Sequence, residues 1–185
     1  GFDMLFIGIE SFNTNSPLET AKIQNTTRGL IDAVQGVQSY GFLVVAGLIF
    51  GFDSDDADCF DVTVRGLEDA SLLSGDPSLL TALPGTPLYR RMKLSGRLRD
   101  VRFGLGGFKY RTNIRYLLPK EELLQGFQDF VTQITRGDHQ YRRLRGYFEL
   151  LSRGNFVPSA AGFGNPWLFL KFVAQDPQAA RQLVN

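Results

Sequence analysis

Three short apolar runs, each closed by glycine or proline and each followed by a segment of helical character, constrain this chain more than any other feature. The first is Met4-Leu5-Phe6-Ile7-Gly8-Ile9 and the second runs from Phe42 to Phe50. The third is expected at about Ser78 to Leu83, ending on Pro84-Gly85-Thr86-Pro87. Apolar residues at successive rather than alternate positions predict strands buried on both faces. Between the first two, Ser16-Pro17 reads as an N-cap followed by proline at the first helical position. Leu30, Ile31, Val34 and Val37 then recur at helical spacing towards Tyr40, and Gly41 stands where a helix C-terminus favours positive φ. A second helix is expected from Ser54-Asp55-Asp56 to about Leu73, with acidic residues at its positive end and Phe60, Val64 and Leu67 on one face. A short third helix carries Leu88, Tyr89 and Met92 and stops by Gly96. Strand and helix in strict alternation predict an α/β fold, a parallel sheet with covering helices.

After residue 98 the alternation ceases. Gly104 to Gly107 reads as a turn and Thr112 to Leu118 as a short strand. Pro119-Lys120-Glu121-Glu122 opens a helix bearing Leu123, Leu124, Phe127, Phe130, Val131 and Ile134, and 138–152 form an Arg-rich helix. The tail, with Pro166-Trp167-Leu168-Phe169-Leu170 and a last helix, is apolar enough to pack. The chain therefore divides into an α/β part, 1–98, and a mainly helical part, 99–185. Its 185 residues suffice for one core and a smaller lobe, and 43% hydrophobic with 21% charged residues argues against disorder. The strand at the very first residues, with no initiating methionine, predicts further sequence upstream.

Charge is uneven. Residues 1–87 hold three Lys/Arg against twelve Asp/Glu, whereas 88–185 hold seventeen against seven. Two readings follow: a basic surface for an anionic partner, or two halves that face each other or a further part of the same protein. The second is preferred. The apolar stretch Gly41–Gly51 is too short to span a bilayer. One cysteine, Cys59, allows no internal disulfide and fits a cytoplasmic protein, while the basic half leaves a membrane-peripheral position open. Neither Cys59 nor the lone His139 has metal-ligand spacing around it, so no metal site and no catalytic nucleophile–base pair is expected. Near-neutral charge and the lack of a recognised motif argue against nucleic acid, despite sixteen phenylalanines.

Ligands of parallel α/β folds collect at the C-terminal ends of the strands. Three segments lie there: Gly8-Ile9-Glu10-Ser11, Gly47 to Asp53, and Leu83 to Pro87. Glu10 could accept two ribose hydroxyls or stand as a solvated loop acid, and Ser11 could serve a ligand or initiate a turn. Gly47 and Gly51 mark a close approach, by a ligand or by another element. Neither a phosphate loop nor a Gly-x-Gly-x-x-Gly pattern is present.

Together these segments resemble the second half of the radical S-adenosylmethionine (SAM) barrel, in the branch carrying an N-terminal cobalamin-binding domain. Phe6-Ile7-Gly8-Ile9-Glu10-Ser11 looks like that family's fourth strand and loop, and Lys22-Ile23-Gln24-Asn25 like the stretch that follows. Tyr40-Gly41-Phe42 through Gly51-Phe52-Asp53 is similar to the fifth strand, and Ala82-Leu83-Pro84-Gly85-Thr86-Pro87-Leu88-Tyr89, continuing to Leu98, to the sixth. Residues 99–185 are similar to the uncharacterised C-terminal domain that follows the barrel in some of these proteins, hopanoid methylases included. The resemblance implies a partial (half) TIM-type barrel followed by a substrate-side domain, in a methyltransferase using SAM, a [4Fe-4S] cluster and cobalamin. It implies that Glu10 and Ser11 lie near the ribose and methionine moiety, that backbone at Ile49 to Gly51 passes the adenine, and that Leu83 and Pro84 close the adenine side.

The Cys-x-x-x-Cys-x-x-Cys loop of that family is missing, so the chain alone is expected to be inactive and to need the N-terminal part of the same protein as partner. Its substrate would be a small molecule or lipid. An open half-barrel edge predicts self-association, or poor solubility, of the isolated chain. A separate reading is a non-catalytic module that binds an anionic partner or lipid through Arg90, Arg91, Lys93, Arg97, Arg99 and Arg102.

Overall fold

The computed structural model describes residues 3–13, 27–101 and 112–155. The helix start at Ser16-Pro17, the Lys22–Asn25 stretch, Arg102, the Gly104–Gly107 turn and the apolar tail lie outside them. Among the described residues the order is β1 (Met4–Glu10), α1 (Thr27–Gln38), β2 (Leu43–Phe50), α2 (Cys59–Asp69), β3 (Ser74–Leu79), α3 (Pro87–Leu94), α4 (Lys120–Thr135) and α5 (Gly137–Arg153). The three strands form one sheet in the order β1-β2-β3, and both pairings are parallel.

β3 lies earlier than the apolar pattern suggests. Ser74-Gly75-Asp76-Pro77 reads as a turn, yet it pairs in register with Val45 to Leu48. Pro77 is tolerated because Leu80 N–H donates to the Phe50 carbonyl (2.8 Å), which on a period of two turns the Pro77 nitrogen away from β2. Thr112 to Leu118 is also not a strand. It contributes one antiparallel bridge, Leu98 to Ile114, and makes its other links through side chains.

The expectation of strands buried on both faces is corrected too. Val44, Ala46, Leu48 and Phe50 are buried, whereas the alternate residues of β2 are half-covered or exposed. On β1, Met4 and Phe6 are 61% and 65% exposed, and Leu43 beside them 41%. Among the described residues α1, α2 and α4 pack on the face that bears Val44 and Phe50, while on the other face Ile49 packs against the cluster around Met92 of α3 and leaves Met4, Phe6 and Leu43 open. The uninterrupted apolar runs arise because the open face is apolar as well, which is unusual for a sheet face meant for water.

On the covered face Phe50 stacks on Phe60 of α2 (centroids 4.8 Å apart) and meets Phe127 and Phe130 of α4 edge-on at 5.9 and 4.9 Å. Such pairs contribute about 0.5–1.5 kcal/mol each beyond the area they bury. Gly126 permits this contact, since a Cβ there would run into the Phe60 ring. Leu123, Phe127, Phe130 and Ile134 of α4 thus share a core with the sheet. Glu68 of α2 ties α5 down by accepting from Arg142 (2.9 Å) and pairing with His139.

Candidate functional site

Each strand ends in a turn whose shape is fixed by identifiable bonds. At the end of β1 the pairing shifts between Gly8 and Glu10, so that Glu10 rather than Ile9 lies opposite Leu48. Glu10 takes a φ of 71°, a left-handed value that costs a non-glycine residue about 1–2 kcal/mol. Ser11 N–H donates to the Ile9 carbonyl (2.9 Å), and Ser11 Oγ accepts from Asn13 N–H (3.0 Å). Asn13 then reaches across to the turn after β2 and donates from Nδ2 to the Ser54 carbonyl (3.2 Å). The two half-buried candidates Glu10 and Ser11 therefore sit in a turn tied to its neighbour.

After β2, Gly51 has a φ of 102° and is buried. The Asp55 carboxylate accepts from Gly51 N–H (2.8 Å) and Phe52 N–H (3.0 Å). Asp55 is thus a turn-closing residue and not part of a helix first turn, because α2 starts only at Cys59. A Cβ on Gly51 would lie 2.5 Å from Cε1 of Tyr116, so the close approach foreseen at this glycine is made by Tyr116. At Gly47 the approaching group is the Phe6 ring, 2.9 Å from a hypothetical Cβ. Asp53 receives a two-pronged bond from Arg97 (2.8 and 2.6 Å) with Arg91 at 3.8 Å. The Arg97 bond holds the Asp53 carboxyl below the usual carboxylate range despite partial burial. Arg97 also donates from Nε to the Arg115 carbonyl (2.8 Å).

Beyond β3 the segment Leu80–Ala82 is held by residues 112–116. The Leu80 carbonyl accepts from Thr112 Oγ1 and from Tyr116 O–H, both at 2.8 Å. The buried Asn113 amide pairs with Ala82 in both directions, accepting from N–H (2.9 Å) and donating to the carbonyl (2.8 Å). The turn then closes through Thr86, whose hydroxyl donates to the Leu83 carbonyl (2.7 Å) and accepts from Tyr89 N–H (3.2 Å) as the cap of α3. Leu83 and Pro84 stand exposed on this turn, Leu83 at 48%.

Register places Glu10 opposite Leu48 and Phe50 opposite Leu79, so Glu10, Ile49 and Gly51 lie side by side at one end of the sheet. Leu83 and Pro84 project farther, on the turn after the neighbouring strand. Sequence reasoning missed Asn113 and Tyr116 and gave Asp55 to a helix start and Arg97 to a contact surface, whereas all four shape the turns. Of these only Asp55 carried a local signal, an acid four residues after a strand-ending glycine. Two of the six basic candidates, Arg91 and Arg97, are committed to Asp53; Arg90, Lys93 and Arg99 remain exposed.

Cys59 is 2% exposed, and burial, helped by Asp55 and Asp56, pushes its thiol up to about 12. Among the described residues no group of three His, Cys, Asp or Glu side chains could hold a metal ion, and no helix is long and apolar enough to cross a membrane.

The class defined so far is an α/β protein with a parallel sheet whose strand ends carry the candidate site. Residues 86–174 match a domain family described only as of unknown function, DUF4070. The chain is 37% identical over 99 residues to an uncharacterized methyltransferase of Synechocystis sp., covering 54% of this chain and 18% of that protein. It is 28% identical over 128 residues to the hopanoid C-2 methylase of Rhodopseudomonas palustris, covering 69% and 23%. It is 27% identical over 150 residues to the bacteriochlorophyllide d C-12(1)-methyltransferase of Chlorobaculum tepidum, covering 79% and 32%. The chain thus spans 18–32% of the length of these relatives, and all three are named for methyl transfer.

Proposed function

We propose that the chain is the C-terminal part of a cobalamin-dependent radical SAM methyltransferase and contributes one side of the SAM pocket. The observation that carries this reading is the ordered parallel triplet β1-β2-β3, with Glu10–Ser11 and Ile49–Gly51 at adjacent strand ends and Leu83–Pro84 on the turn that follows β3. The names of the relatives and the DUF4070 match support it. In this account the sheet is a wedge of a TIM-type barrel, and the open apolar surface bearing Met4, Phe6 and Val45 is barrel interior. The rest of the barrel, supplied by the N-terminal part of the same protein, covers that face and the β1 edge.

The residues present fit SAM at one end. Glu10 offers a carboxylate on a preset backbone for the ribose hydroxyls, and Ser11 a hydroxyl beside it. Gly51 keeps its backbone conformation through Asp55, with Tyr116 packed on its α-carbon as a fixed wall. The chain's own residues do not fit an iron–sulfur cluster: Cys59 is the sole cysteine, is buried, and its thiolate is disfavoured. Cobalamin is likewise assigned to no residue here. The chain alone is therefore proposed to hold and shape rather than to react.

The test is the coding sequence that precedes Gly1 in frame, together with SAM binding by the longer protein it encodes. The reading expects a Cys-x-x-x-Cys-x-x-Cys loop there and weaker SAM binding on Glu10→Ala. An upstream sequence without that loop, or SAM affinity indifferent to Glu10→Ala, defeats it.

A further inference from the structure

A cleft of ≈420 Å³ opens between α3 and residues 98–101, with Pro84 at one wall. That size falls within the roughly 300–1,000 Å³ of small-molecule sites. Its frame is rigid. The Met92 carbonyl accepts from Arg97 N–H (2.8 Å) and Leu98 N–H (3.1 Å), joining α3 tightly to the returning segment through Gly96 at φ 67°. Arg99 N–H donates to the Asn113 carbonyl (2.7 Å), which pins the far wall. Preorganised walls let a modest ligand bind without ordering the protein first.

The lining divides in two. Pro84, Leu98, Val101 and the Tyr89 ring supply apolar surface. Lys93, one helical turn beyond Tyr89, and Arg99 supply two cations against one acid, Asp100. Unlike Arg91 and Arg97, which are spent on Asp53, neither Lys93 nor Arg99 has a salt bridge to any described residue. Two unneutralised cations over an apolar wall select a ligand with a negative head and a hydrocarbon body.

We infer that this cleft binds the carboxylate end of an amphiphilic small molecule through Lys93 and Arg99. The inference deepens the proposed function, since it names a substrate class for the site whose edge is Leu83–Pro84, and it rests on that reading for its link to methyl transfer. Lys93 and Arg99 set head-group specificity, while Pro84, Leu98 and Val101 hold the chain. Charge-assisted hydrogen bonds are worth about 1.5–3 kcal/mol, so the carboxylate gains about tenfold or more over a neutral head of equal length.

Isothermal titration of the chain with octanoate, octan-1-ol, octylamine and inorganic phosphate tests it. Octanoate should bind at least tenfold more tightly than octan-1-ol, phosphate and octylamine, and the preference over octan-1-ol should vanish in Lys93→Gln/Arg99→Gln. Both side chains are exposed and unpaired, so the variant should melt with the parent. Equal affinity for octanoate and octan-1-ol overturns the inference. So does tighter octylamine binding, since Asp100 would then rule the cleft, or phosphate matching octanoate, since the apolar wall would then be idle. A preference surviving in the double variant places the ligand elsewhere, on the open sheet face, and equally refutes it. None of the probes carries adenosine or a sulfonium, so failure here is distinct from failure of SAM binding.

Discussion

Replacing Gly51 with alanine tests how the C-terminal segment locks the central turn. Two costs add. An alanine at φ 102° pays about 1–2 kcal/mol in left-handed strain whatever surrounds it. Its Cβ would also sit 2.5 Å from Tyr116 Cε1, so the ring must move and release its hydrogen bond to Leu80, worth about 1 kcal/mol, with some packing. Gly51→Ala should therefore destabilise by about 2–4 kcal/mol. Tyr116→Ala alone should cost about 2–3 kcal/mol, less than a fully buried aromatic because the ring is partly exposed. With the ring gone only the strain remains at residue 51, so the double variant should fall short of the sum by about 1–2 kcal/mol. Urea denaturation of the four proteins, with m-values checked for constancy, measures the cycle. Additivity within about 0.5 kcal/mol would mean that Tyr116 does not rest on Gly51.

Asp55→Ala removes the acceptor for two buried backbone N–H groups and should cost about 2–3 kcal/mol in denaturant, with Asp55→Asn recovering part of it. Asp53 has its carboxyl lowered below the ordinary value of 3.8 by Arg97, so its stabilisation is present above pH about 4 and lost as pH falls through the lower folded value. Arg97→Gln should accordingly flatten the fall of stability below pH about 4, as followed by thermal melts; an unchanged slope would exclude that pair as its source. Cys59, buried and shifted to about 12, should resist an aromatic disulfide reagent in the native chain and react once urea unfolds it. Fast native labelling would show that α2 opens locally.

The fold was legible where one residue sufficed to set backbone shape. The Met4–Ile9 and Phe42–Phe50 runs gave β1 and β2 within a residue, Thr86-Pro87 fixed the start of α3, and Pro119-Lys120-Glu121-Glu122 the start of α4. β3 was expected about four residues too late, because its first half owes its strand character to pairing with β2, while Asp76-Pro77 locally signals a turn. Thr112–Leu118 misled in the opposite sense: its β-branched and apolar residues suit a strand, but Asn113 and Thr112 spend their side chains on Ala82 and Leu80. Topology pointed to the three segments, and the family resemblance to Glu10, Ser11, Ile49, Gly51, Leu83 and Pro84 within them. Their supports, Tyr116 on Gly51 and Arg97 on Asp53, join residues 65 and 44 apart in sequence, a separation at which no local pattern operates.

Amide hydrogen exchange on the longer protein, with and without SAM, tests the central claim most directly. The account predicts that SAM slows exchange together at residues 8–11 and 49–52, two adjacent strand ends, and at 83–86, the turn that follows β3. Protection confined to other segments, leaving all three of these turns unchanged, would contradict it.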